Sequence, residues 1–228
     1  MNNTRPFEPG KRPRRIAFYG GSFDPAHRGH LAVAHGLIDQ FDLDRIIFLP
    51  AFQAPHKKLN APTSAYDRYA MLCLMTNEIE TMSVSRMEIE LPQRSFTFET
   101  LTRLLDQFSA HEIYFVMGAD SWMDIATWFE WEQVLTMTNH IVITRPGFEI
   151  SFDHVTDDIR ERIVDLRHSR QHPTAVTDDL LKIFISDVVG VNISATAIRD
   201  KIRSGDETWR DDVTDQIANY IEKYQIYN

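Results

Sequence analysis

The eleven residues Gly20-Gly21-Ser22-Phe23-Asp24-Pro25-Ala26-His27-Arg28-Gly29-His30 follow directly on the apolar run Ile16-Ala17-Phe18-Tyr19. They read as a strand, a tight turn and the mouth of a helix. Gly20 and Gly21 let the backbone turn sharply and bring its N–H groups close to a ligand, where a bulkier residue would block the approach. A helix that starts here adds about half a positive charge at its N-terminus, the usual seat of an anion in an α/β protein. Asp24-Pro25 fixes the turn, since proline presets φ and aspartate bonds nearby backbone N–H groups. Phe23 is expected in the core. A lone histidine reads as a surface or satisfied polar residue, but two of them flanking Gly29 behind such a turn read as a pair facing phosphate oxygens. A zinc site of His27, His30 and His56 is the weaker alternative. Zinc hydrolases usually set two histidines four apart with a carboxylate between them, and this turn has Arg28-Gly29 there.

The bulk properties narrow the setting. A chain of 228 residues fits one large domain, burying roughly 70–75% of its unfolded surface. Cys73 is the sole cysteine. It excludes an intrachain disulfide and, inside the apolar run Tyr69 to Met75, reads as a small core residue in a reducing cytoplasm. Residues 1–15 carry three prolines and several basic groups but no apolar segment of a secretory signal. They are expected to form a loose tail before a single domain over 16–228. No apolar run approaches the ~20 residues that span a bilayer, so a soluble, cytoplasmic protein without membrane contacts is expected. A net charge of −9 argues against nucleic acid as a partner, because that affinity comes from many cations neutralising phosphates. Phosphate binding must then be local, on cations near turns: His27, Arg28 and His30; His56, Lys57 and Lys58; Arg145; Arg199.

Short apolar runs alternate with amphipathic stretches. Strands are expected at Ile16 to Tyr19, Arg45 to Leu49, Met82 to Ile89, Ile113 to Met117, Ile141 to Ile143 and Leu180 to Ile185. Helices are expected at Leu31 to Phe41, Tyr66 to Ile79, Phe98 to Phe108, in the tryptophan-rich stretch after Gly118-Ala119-Asp120, at Ser194 to Ile202 and at Asp212 to Tyr224. This alternation indicates an α/β fold: a doubly wound, Rossmann-like, mostly parallel sheet with helices on both faces and a small C-terminal helical region. The charged stretch from Asp153 to Asp165 reads as an exposed, solvated helix. Neither Gly-x-Gly-x-x-Gly nor the Gly-x-x-x-x-Gly-Lys-Ser/Thr phosphate loop occurs, so hydride transfer and P-loop hydrolysis lose their support.

The pattern Gly-Ser-Phe-Asp-Pro-x-His-x-Gly-His, together with Ile193-Ser194-Ala195-Thr196-Ala197-Ile198-Arg199, resembles the nucleotidylyltransferase superfamily. Narrower features are similar to bacterial nicotinate-nucleotide adenylyltransferases: Gly118 to Trp122, Thr127 to Glu132, Ile143 to Gly147, Pro55-His56-Lys57 and Ser95-Phe96-Thr97. The resemblance implies that the adenylyl group of ATP passes to nicotinate mononucleotide, giving pyrophosphate and deamido-NAD in NAD biosynthesis. Nicotinamide mononucleotide or phosphopantetheine are the alternative acceptors, and a catalytically idle nucleotide-binding regulator is the alternative outside enzymology. A regulator would be expected to lack His27, His30 or Arg199, and all three are present.

The same resemblance implies roles. His27, His30 and Arg199 would be catalytic, and ATP would lie against Gly20, Gly21, Ser22, Phe23, His27, His30, Ser194, Thr196 and Arg199. Ser194 would cap a helix whose free N–H groups receive phosphate, while Arg199 offers a planar fork. The mononucleotide would be met by Thr97, Asp120, Trp128, His56, Lys57 and Arg145, with Trp128 stacking on the pyridine ring and Trp122 and Trp131 in the core. Mg²⁺ would arrive on the triphosphate oxygens rather than in a protein cage. ATP and nicotinate mononucleotide are the expected partners, with assembly into a homo-oligomer left open. The chain departs from the family at Phe96, where a tyrosine is common, and in the loop Pro50 to Pro55.

Overall fold

A computed structural model describes residues 13–52, 63–91, 95–145, 148–167, 173, 180–188 and 193–227. Seven strands are found among them: β1 (Arg15–Gly21), β2 (Arg45–Pro50), β3 (Met82–Val84), β4 (Glu112–Gly118), β5 (Asn139–Ile143), β6 (Ile163–Asp165) and β7 (Ile183–Ser186). They form one sheet in the order β3-β2-β1-β4-β5-β7-β6, and every pairing is parallel. The order in which successive strands are added across the sheet reverses between β1 and β4. Such a switch point opens a crevice at the carboxyl ends of the two strands, and Gly20 and Gly21, expected in the turn, sit there as the last two residues of β1.

Alternation along the strands explains why helices cover both faces. In β1, Ala17 and Tyr19 belong to one buried cluster while Ile16 and Phe18 belong to the other; β4 divides the same way, Tyr114 and Val116 against Ile113, Phe115 and Met117. Strands apolar on both sides can exist only between two layers. The first face is covered by α1 (Arg28–Phe41), α2 (Ala65–Thr76), α7 (Ala195–Ser204), α8 (Trp209–Asp212) and α9 (Asp215–Tyr224), through Leu37, Met71, Leu72, Ile198, Trp209 and Ile217. The second is covered by α3 (Thr97–Gln107), α4 (Ala119–Met123), α5 (Trp131–Met137) and α6 (Asp157–Arg160), through Leu101, Trp122, Leu135 and Ile159.

Four expectations change. The exposed helix over the charged stretch shrinks to the four residues of α6, and Ile163–Asp165 becomes the edge strand β6. Ile163, Val164 and Asp165 all pair with β7, the Asp165 side chain lying exposed, and a charged edge strand deters further pairing. The strand expected from Met82 to Ile89 ends at Val84, after which the chain turns towards α3. Cys73 is only half-buried, and its thiol lies beside the Tyr69 hydroxyl. Phe23 and Trp122 are buried as expected, whereas Trp131 is partly exposed and packs against the edge of its cluster. β1 opens at Arg15, whose N–H donates to Asp44 and whose guanidinium donates to Glu112. Among the described residues no helix is long and apolar enough to cross a membrane.

Candidate active site at the switch point

The histidine turn is built from close packing. A Cβ on Gly21 would stand 2.9 Å from the Phe23 ring, and one on Gly20 would stand 3.0 Å from Phe115, so neither position admits a side chain without displacement. Phe23 itself adopts φ +51°, the left-handed region that non-glycine residues rarely enter. Its ring is held edge-on against Tyr19 at 5.3 Å, Phe48 at 5.5 Å and His30 at 4.9 Å. The Asp24-Pro25 bond is cis.

His27 is the N-cap of α1 and His30 its third residue. Their rings stack at 3.6 Å, and the His27 backbone N–H donates to His30 Nδ1 at 3.2 Å. An accepting Nδ1 places the proton of the neutral His30 ring on Nε2, leaving that nitrogen as the donor. Gly29 between them has no room for a Cβ, which would stand 2.9 Å from His27 Nδ1 and 3.5 Å from Ile193 Cβ. Burial lowers His27 to about 4, with the Arg145 charge adding to the effect and Asp212 opposing it. Burial also holds His30 well below the ordinary histidine value, followed by His27 and Arg145. Both rings are therefore neutral at pH 7 until an anion approaches.

The late motif reaches the same place. Arg199, on α7, donates from Nη1 to the Asp24 carbonyl oxygen at 2.5 Å and from Nη2 to Thr196 Oγ1 at 3.1 Å. Ser194 occupies the N-cap of α7, but its hydroxyl makes no capping bond, so the expected side-chain cap is not formed. Arg145, two residues past β5, is exposed, and its charge acts on Tyr19, His27 and His30.

The other sequence-predicted positions line the opposite flank. Asp120 lies exposed in the first turn of α4, just past β4. A Cβ on the preceding Gly118 would meet nothing within 4 Å, so the mouth of the crevice is open there. Thr97 begins α3, and Trp128 follows the 3-10 turn Ile125–Thr127, half-buried against the second cluster with its indole N–H buried and without a partner among the described residues. The exposed rings of Phe96 and Phe129 lie beside them, centroids 5.0 Å apart. His56 and Lys57 lie outside the described residues.

Two groups escaped the sequence reading. Arg68 on α2 is 1% exposed. It donates to four carbonyl oxygens, those of Ser22 (2.6 Å), Ala51 (2.6 Å), Phe52 (3.0 Å) and Thr63 (2.9 Å), and so ties the turn after β1 to the chain leaving β2. Glu88 accepts from Thr100 Oγ1 at 2.9 Å, and Thr100 Oγ1 lies 3.1 Å from Ser95 Oγ, which anchors the start of α3. Burial pushes the Glu88 carboxyl up to about 7.

Among the described residues no group of three or more histidine, cysteine, aspartate or glutamate side chains converges as a metal cage. The donors present suit a hard cation carried by phosphate and water, with a lone carboxylate such as Asp120 at hand.

Comparison with known proteins gives the lineage. Residues 18–201 match the cytidylyltransferase-like family. A Mycolicibacterium vanbaalenii protein named "probable nicotinate-nucleotide adenylyltransferase" is 32% identical over 218 residues, covering 96% of this chain and 94% of its own. A Desulfitobacterium hafniense (strain Y51) protein of the same name is 34% identical over 215 residues, covering 94% and 96%. The solved nicotinic acid mononucleotide adenylyltransferase of Plasmodium falciparum, complexed with NaAD, shares the fold with a TM-score of 0.67 over 94% of this chain and 97% of that one, at 19% identity. Identity at this level along nearly the whole length makes the chain a member of the cytidylyltransferase-like family, in its nicotinate-nucleotide adenylyltransferase branch.

Proposed function

We propose that the protein transfers the adenylyl group of ATP to nicotinate mononucleotide, releasing pyrophosphate and forming deamido-NAD. The observation that carries this reading is the bond from Arg199 to the Asp24 carbonyl, which joins two motifs 175 positions apart at the switch point of the sheet. The relatives named above carry the same activity in their names.

The attacking phosphate of the mononucleotide is already an anion, so no general base is required. The work left is to align donor and acceptor and to balance charge that grows around the α-phosphorus and the leaving pyrophosphate. His30 Nε2–H is the donor suited to the α-phosphoryl oxygens, and His27 and the positive end of α1 support it. Arg199 and the start of α7 at Ser194 and Thr196 suit the β- and γ-phosphates. Arg145, beyond the end of β5, adds a positive field. The backbone of Gly20, Gly21 and Ser22 suits the nucleotide, while Phe23 holds His30 from behind. Bound Mg²⁺ would neutralise the triphosphate charge. Thr97, Asp120 and Trp128 suit the acceptor, with the Trp128 indole as a face for the pyridine ring.

An acceptor panel tests the reading. Purified protein with ATP and Mg²⁺ is expected to turn over nicotinate mononucleotide faster than nicotinamide mononucleotide, and either faster than phosphopantetheine. Preference for phosphopantetheine, or nucleotide binding without turnover of any acceptor, overturns it.

A further inference from the structure

Past α9 the chain makes two left-handed steps at non-glycine residues, Gln225 at φ +52° and Tyr227 at φ +75°. The first is an ordinary left-handed helix end. The second is strained and persists only where the surroundings fix it. Here they do. The Tyr227 hydroxyl donates to Asp24 Oδ1 at 2.6 Å, while Ile226 and the Tyr227 ring pack against the first apolar cluster. Tyr220, on α9, donates to Asp67 on α2 at 2.9 Å, so the approach of this segment is tied down as well.

Asp24 is 8% exposed and sits between the paired glycines and His27. Its Oδ2 takes the Thr63 N–H at 3.3 Å, its Oδ1 takes Tyr227, and its carbonyl takes Arg199. Burial and the neighbouring Asp24 carboxylate both raise the Tyr227 phenol, which remains a donor throughout the neutral range.

We propose that Tyr227 is a positioning residue for adenylyl transfer: by holding the Asp24 carboxylate it sets the orientation of the Asp24 peptide, and through that carbonyl the aim of the Arg199 guanidinium. The proposal rests on the reading of the site as an adenylyl-transfer centre. A buried carboxylate that loses one of two donors is free to turn, and the peptide that bears it turns with it.

The test compares wild type with Tyr227→Phe, Asp24→Asn and the double variant. Tyr227→Phe keeps the ring and its packing but removes the hydroxyl. It is expected to lower kcat/KM for ATP about tenfold, as loss of a hydrogen bond to a charged group does, while KM for the mononucleotide stays within about twofold. The double variant should be no worse than the more damaged single, since Tyr227→Phe deletes, and Asp24→Asn strips of its charge, one and the same bond. Affinity for a non-hydrolysable ATP analogue, measured by calorimetry, should fall in parallel, and this readout stands even if wild type turns over no acceptor. In that event the adenylyl-transfer reading fails on its own. Tyr227→Phe matching wild type within about twofold in both readouts, additive losses in the double variant, or a defect that vanishes on assay well below the melting temperature overturns the positioning role. Asp24→Asn, which preserves the packing of both side chains, supplies the same comparison should Tyr227→Phe be too unstable to assay.

Discussion

The two flanks of the crevice differ in how tightly they are held. On the histidine flank most groups have a fixed partner, although His27 Nδ1 is buried without one among the described residues: Phe23 sits among three rings, His30 on the His27 N–H, Asp24 between Thr63 and Tyr227, and Arg68 on four carbonyls. On the flank we propose for the acceptor, Asp120 is exposed, Phe96 and Phe129 are 48% and 49% exposed, and the Trp128 indole N–H has no partner among the described residues. Charge stabilisation in a transition state depends on donors that need not reorganise, so a flank proposed to face the triphosphate gains from rigidity. Recognition of a flat acceptor tolerates more open walls.

Substitutions can break this contrast. The largest expected effect is at Arg68. Arg68→Met would leave four carbonyl oxygens without their donor, and a loss of about 3–5 kcal/mol in stability is expected by denaturant unfolding. A loss under about 1 kcal/mol would show that the rigid flank does not depend on it. Next is His30→Ala, expected to cut kcat by about 10²–10³ while affinity for an ATP analogue changes far less, as for removal of one transition-state donor. Equal losses in binding and turnover would make His30 a binding group only.

On the open flank the effects should be smaller and confined to one substrate. Trp128→Ala is expected to raise KM for the mononucleotide about tenfold with KM for ATP unchanged, consistent with loss of one aromatic face. If the variant unfolds instead, Trp128 is a core residue and the acceptor ring must be held elsewhere. The smallest effect is that of pH on the melting temperature without ligand. His27 titrates at about 4 in the folded protein against about 6.5 unfolded. Below 6.5 the unfolded chain therefore binds the extra proton, and stability should fall as pH drops from about 6.5 through 4. Glu88, raised to about 7, works in the opposite sense between about 4.5 and 7, so His27→Asn should flatten the acid limb while Glu88→Gln steepens it. A non-hydrolysable ATP analogue should reduce the acid loss, since phosphate favours the charged imidazoles. No such protection would separate the histidines from the nucleotide.

Legibility in the sequence followed the same divide. The Gly20 to His30 turn could be read because its chemistry is local: glycines, a proline and two histidines whose spacing already carries the geometry. The alternating strands and helices were readable for a similar reason, since strands buried on both faces leave continuous apolar runs. Arg68 was not readable. An arginine within an amphipathic helix ordinarily faces water, and only the tertiary arrangement of Ser22, Ala51, Phe52 and Thr63 turns it inward. β6 was hidden by its acidic neighbours, because three residues at a sheet edge need little apolar character. Glu88 and Tyr227 were missed because their partners lie 12 and 203 positions away, and nothing in their immediate neighbours announces a bond.

β1 lies between β2 and β4, so the first strand among the described residues is completed by one that begins only at Glu112. At synthesis rates of about 5–20 residues per second, one long edge of β1 waits on the order of 5–20 seconds for its neighbour. Nascent chains thus pass through a stage with an unpaired, apolar strand edge, the kind that recruits chaperones or aggregates. The Asp24 turn waits longer still, until residue 227 has been made. Chains halted before that point would lack the Tyr227 bond to Asp24.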